Sequence, residues 1–181
     1  MASILNVDQI NNAAGTSAID INSSSGLVTF PNSVTIPNGA TMPAGSVVQV
    51  TPISYSNTQY TTGSTSWVAL ATPTLTMTPK YSTSKIHVIW QVNVYHVATH
   101  GISTRLLEGS TVVWGSANPS YETYHGNSDT YHQLGHTADL SAGSTNARTY
   151  SLQWIVYSGT SSAIINVGGL QSWMYAMEIA Q

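Results

Sequence analysis

The chain has 181 residues, of which 41% are hydrophobic and only 6% charged, with a net charge of −3. That length suits one ordinary β domain plus an extra segment, and the apolar content is enough for a packed core. The four cations, Lys80, Lys85, Arg105 and Arg148, are too few to neutralise a phosphate backbone or to line an anionic membrane, which excludes nucleic acid and membrane surfaces as partners. There are no cysteines, so the fold depends on neither disulfides nor thiolate metal sites.

In chain order, Met1–Ile10 has neither a charged n-region nor an apolar h-region, and no secretion signal is expected there. No stretch approaches the roughly 20 apolar residues that span a bilayer, so no membrane insertion is expected. Composition changes near residue 45. All five Trp, all ten Tyr and all six His follow it, whereas Phe30 is the only aromatic residue before it. Residues 1–45 therefore form an N-terminal segment and residues 46–181 a head.

In the N-terminal segment, Ile4, Val7 and Ile10 have the spacing of a short helix. Ala18–Ile21 and Leu27–Phe30 look like two short strands joined by a Ser-rich turn at Asn22–Gly26. The prolines that follow, Pro31, Pro37 and Pro43, forbid a central strand or a long helix. Large apolar groups are too sparse to offset an ordering entropy of roughly 1–2 kcal/mol per residue. Such a segment is either a disordered leader or a leader intertwined with identical copies. In the second case Ile19, Ile21, Leu27, Phe30, Val34 and Ile36 are the trimer and anchor candidates, and their regular spacing favours this case.

Residues 46–181 read as all-β, with strands expected at 46–53, 66–71, 74–78, 84–98, 102–107, 110–115, 149–157, 162–167 and 170–180. Ile86, Val88, Trp90, Val92 and Val94 alternate with His87, Gln91, Asn93 and Tyr95, the period of a half-buried strand. Tyr150, Leu152, Trp154 and Val156 repeat it, and Trp173, Tyr175, Met177 and Ile179 share one face of the last strand. Many short strands with Gly and Pro turns predict a β-sandwich head of jelly-roll type. The surface is neutral and polar, which removes the cheapest protection against edge-to-edge association. A closed oligomer that uses its own edges escapes that hazard.

The strings Asn11–Ile21 and Ser25–Gly39 resemble the N-terminal stretch of phage tail-fibre and related virion proteins, especially those of cyanophages. Ala176–Ala180 is similar to the end of such chains. The resemblance covers about a quarter of the sequence. It implies a homotrimeric structural protein of the virion, assembled in the host cytoplasm, with its N-terminus tied to the tail or baseplate proteins and a C-terminal β domain facing the host.

Three groups of residues could carry chemistry. The acidic residues of the head, Glu108, Glu122, Asp129, Asp139 and Glu178, are framed by no hydrolytic motif. Gly126–Asp129 reads as a turn and not as a nucleophile elbow, so no enzyme is expected. Of the histidines, His132 and His136 are the weak metal candidates. Four residues apart on a strand they lie about 13 Å apart and cannot share an ion, whereas one His on a three-fold axis would supply three nitrogens to an axial metal ion; otherwise no cofactor is implied. The stretch from Trp114 to His136 reads as a long polar, aromatic loop. Trp114, Tyr121, Tyr124, His125, Asp129, Tyr131 and His132 are its receptor candidates, because aromatic faces stack on sugar C–H faces while Asp, Tyr and His direct hydrogen bonds. Trp67, Trp90, Trp154 and Trp173 are expected in the core or between subunits, and Arg105 with Glu108 in a local or intersubunit ion pair. The function these features point to is a trimeric tail fibre that binds a host surface polysaccharide. The alternative is a baseplate, collar or capsid-decoration protein without receptor binding.

Overall fold

The computed structural model describes residues 42–96, 101–115, 130–157 and 162–181 in full, and the backbone alone at 9–11, 17–21, 28–29, 100 and 123–125. The chain divides into two compact units, Met1–Thr41 and Met42–Gln181. In the first, three short strands, β1 (Gln9–Asn11), β2 (Ser17–Ile21) and β3 (Val28–Thr29), form an antiparallel sheet in the order β1-β2-β3. Ile10 pairs with Ile19 and so belongs to a strand, not to the short helix expected there. Ile4 and Val7 lie outside the described residues. The pairing of Ile21 with Val28 matches the two expected strands.

The second unit carries β4 (Val47–Val50), β5 (Ser54–Ser56), β6 (Tyr60–Thr62), β7 (Val68–Met77), β8 (Lys85–His96), β9 (His100–Glu108), β10 (Thr111–Trp114), β11 (Thr123–His125), β12 (Thr130–Ser141), β13 (Arg148–Tyr157), β14 (Ala163–Ile165) and β15 (Ser172–Ile179), with one 3₁₀ turn at Val167–Gly169. They build a seven-stranded and a five-stranded antiparallel sheet. In the larger sheet β12 lies beside β8. The other side of β8 is lined by β15 and then β14, and these are flanked in turn by β4, β5 and β6. In the smaller sheet β10 and β11 share β9, followed by β13 and β7. Let β4–β6, β10–β11 and β14–β15 each count as one interrupted strand. The head then has eight strands, ordered 6-3-8-1 in one sheet and 5-4-7-2 in the other. This is the two-Greek-key order of a jelly roll. The head is therefore an all-β sandwich of jelly-roll type.

Alternation drives the packing. Ile86, Val88, Trp90, Val92 and Val94 from β8 face Tyr150, Leu152, Trp154 and Val156 from β13 across the core, and all nine are buried. The two strands expected at 66–71 and 74–78 are one. Pro73 follows a cis bond inside an irregularity where Leu70 and Leu75 oppose Leu152 and Tyr150. Because β7 is an edge strand, a missing N–H donor there is tolerated. The largest correction is β12, twelve residues long and paired with β8 along its whole length. Its first seven residues fall in the stretch read as loop.

The two ends of the head differ. At one end the chain enters: the Gly45 N–H donates to the Ala180 carbonyl at 2.8 Å, and the Ala180 N–H donates to Ser46 at 2.9 Å. Beside this entry Glu178 is fully buried. Its carboxylate accepts from the backbone N–H groups of Lys80 and Tyr81, each at 2.9 Å, and from the Gln49 amide at 2.6 Å. Arg148 closes the same end from the other sheet, donating to Glu108 at 2.9 Å and to the carbonyls of Ser141 and Ala142. At the opposite end stand the termini of β8 and β9, β11 and β12, and β13 and β14.

Candidate functional site

The receptor candidates divide three ways. Tyr121 and Asp129 lie outside the described residues. Tyr124 and His125 stand on β11, opposite Gly101 and His100 of β9, and their side chains lie outside the described residues. Trp114, Tyr131 and His132 are described, and they point in different directions.

Trp114 ends β10 and turns into the side of the sandwich. Its ring meets Trp90 edge-on with centroids 5.0 Å apart, and lies 4.5 Å from the ring of His136, which also contacts Trp90 at 5.6 Å. This cluster joins the edge strands of the two sheets and packs against the core. Gly115 follows with φ +95, and a Cβ there would come within 2.8 Å of the Arg105 Cβ. The chain can leave Trp114 this closely only through glycine. His132 points inward too, its ring 5.5 Å from that of the buried His96. On β12 the inward positions alternate with the outward ones, so His132, Leu134, His136 and Ala138 share the core-facing side.

Tyr131 faces the other way. It is 63% exposed, and its ring lies tilted against that of Tyr95, its partner on β8, with centroids 4.8 Å apart. Both lie near the end opposite the chain entry, on the outer face of the seven-stranded sheet.

The metal candidates do not form a site together. His132 and His136 sit on one continuous strand, about 13 Å apart at four residues of extended chain. Among the four histidines with described side chains only His87 faces outward, and its Nδ1 bonds Asp139 at 2.6 Å. Among the described residues no group of three or more His, Asp or Glu is placed to hold a metal ion.

The described carboxylates of the head each have a partner in place: Glu108 with Arg148, Asp139 with His87, and Glu178 with its ring of donors. Burial pushes the Glu178 carboxyl up, but the N–H groups of Lys80 and Tyr81 and the Gln49 amide outweigh it and hold the group below the usual carboxylate range. Tyr150 moves the other way. Burial first, and then the charge of Glu108, raise its phenol above the ordinary value, against the opposing effect of Arg148. The expected Arg105–Glu108 pair does not form. Three residues apart on a strand, the two side chains project from opposite faces. Arg105 instead lies over the ring of Trp67, 4.3 Å from its centroid, and donates its Nε–H to Gln153 at 2.7 Å. Trp67 is thus neither core nor, within the described head, a bare surface ring, and sequence spacing carried no signal for this contact.

Of the anchor candidates, Ile19 and Ile21 stand on β2, their side chains outside the described residues. Leu27, Phe30, Val34 and Ile36 also lie outside them. Among the described residues no helix is long and apolar enough to cross a membrane. No protein-family model matches the chain, and no curated protein matches it.

Proposed function

We propose that this chain is a homotrimeric phage tail-fibre protein of the virion, tied to the tail or baseplate by its N-terminus, whose head binds a host surface glycan. The observation that carries this function is the polarity of the head. The chain enters at the Gly45–Ala180 end. The polar, aromatic stretch between Trp114 and Thr130 includes β11, whose last residue, His125, pairs with His100 at the start of β9 at the opposite end. An anchored protein that meets a surface with its far tip requires this arrangement. A charge-poor surface suits close packing of copies, and three weak glycan sites on one particle gain affinity by linkage alone. The engagement of Glu108, Asp139 and Glu178 in structural contacts supports binding over hydrolysis. The test is competition: purified full-length protein added to host cells lowers adsorption of the parent phage, and replacing residues 121–129 by a Gly/Ser linker abolishes that competition. A protein that never competes contradicts the function.

One observation favours the second reading, a baseplate, collar or decoration protein without receptor binding. Trp114, His132 and His136 turn into the sandwich and so are withdrawn from any receptor. Intact particles that carry the 121–129 replacement and still adsorb normally would favour it.

A further inference from the structure

The last strand is built the wrong way round for a lone head. In β15 the inward residues are Ser172, Met174, Ala176 and Glu178, all buried, while Trp173, Tyr175, Met177 and Ile179 face outward. Met174 pairs with the buried Trp90 of β8 on the inward side. The larger apolar set is left on the outer face of the seven-stranded sheet. Cross-strand pairing extends it. Tyr55 lies beside Trp173 and Val50 beside Met177, exposed by 57% and 54%, and Tyr131 stands at the far corner. Trp173 and Tyr175 stack on each other with centroids 5.8 Å apart. The outer face of the five-stranded sheet carries Thr149, Ser151, Gln153 and Arg105 beside Leu107, Ile155 and Tyr157.

We infer that the oily face is where copies of this chain meet, so that the head itself, rather than the leader, holds the trimer. The inference rests on the trimer proposed above and names its interface. Three observations select a second copy as the occupant. The first is extent: the apolar residues of β15, β4 and β5 and the mixed outer positions of β8 and β12 together make a face four strands wide and twelve residues long on β8, on the order of 700 Å² in outline, close to the roughly 800 Å² per partner of a stable interface. The second is charge. Asp139, hydrogen-bonded to His87, is the one carboxylate among the described residues of the face, and Lys85 lies at its margin, so a copy meets no like-charge row. The third is the bordering edge strand β12, which is long and carries no Lys or Pro and a single charged residue, Asp139. Among the described residues β12 pairs with β8 alone, and an edge so poor in charge suits association with a neighbouring chain. A lipid surface would need a row of cations, and this face has only Lys85 at its margin.

The test uses the full-length chain. By light scattering, Tyr55→Glu/Trp173→Glu is expected to cut the solution mass threefold, while the control Thr149→Glu/Gln153→Glu, on the other sheet, keeps the parent mass. A trimeric parent whose Tyr55→Glu/Trp173→Glu variant stays trimeric overturns the interface and leaves the trimer standing. A parent that is already monomeric overturns both. Because the chain has no cysteine, a second measurement avoids any folding defect. Thr137→Cys, on the outer face of β12, is expected to react with a maleimide several-fold more slowly than Thr149→Cys. Equal labelling rates overturn the interface.

Discussion

Glu178 shows how one residue can organise an end of the head. It is buried on the core side of β15, yet it remains a carboxylate because donors from the β7–β8 connection and from β4 converge on it. Its folded pKa is depressed, so its contribution is fully present above the unfolded value of about 4.3 and is lost as pH falls through the folded value. Glu178→Gln is expected to cost about 2–3 kcal/mol at pH 7 and to flatten the acid limb of the stability curve. Urea titrations at pH 7 and pH 3 check both effects, and an unchanged acid limb would contradict the assignment. Asn166 is a second such residue. At φ 60 it occupies the left-handed region. Its amide donates to the carbonyls of Ser56 and Thr58, each at 3.0 Å, and its carbonyl accepts from Ser172 at 2.6 Å. Asn166→Ala is expected to lose on the order of 3 kcal/mol. Asn166→Gly should lose less, since glycine keeps the backbone conformation; equal losses in chemical denaturation would show that the backbone conformation contributes nothing. Neither role was legible in the sequence, where a lone Glu in an apolar strand and an Asn shortly before two glycines have no distinguishing pattern.

At the scale of elements, legibility followed the size contrast between the two faces of a strand. In β8 and β13 bulky apolar residues alternate with polar ones, and both strands were readable almost to their ends. In β12 the inward positions are Thr130, His132, Leu134, His136, Ala138 and Leu140. Half are not apolar, and Gly135 interrupts the outward set, so the period of two disappears into what reads as a polar loop. In β15 the period was visible and Trp173, Tyr175, Met177 and Ile179 do share one face, but whether that face pointed to the core was not legible, and it points outward. Only tertiary packing decides such a case. Trp114 belongs to the same lesson, as it ties the edges of both sheets together through His136 and Trp90. Trp114→Ala is expected to lower stability by about 2–4 kcal/mol. In the fraction that folds, competition for host adsorption should be undiminished. A stable variant that no longer competes would return Trp114 to the receptor site.

For the whole molecule, the jelly-roll class was legible, since many short strands with Gly and Pro turns leave few alternatives. The strand order was not, because long-range pairing leaves no local trace in the chain. The order matters for function. It sends the chain entry to one end of the head and the β11 segment to the other, and it gathers Tyr55, Tyr131, Trp173 and Tyr175 on one outer face. A surface with so little charge makes a solitary head prone to association, and a closed trimer resolves that tendency. The most direct test of this account is the solution mass of the full-length protein by light scattering at micromolar concentration. The expected result is three times the chain mass of 19.2 kDa, unchanged on dilution. A mass of 19.2 kDa at every concentration would contradict the trimeric fibre and leave the apolar sheet face without its occupant.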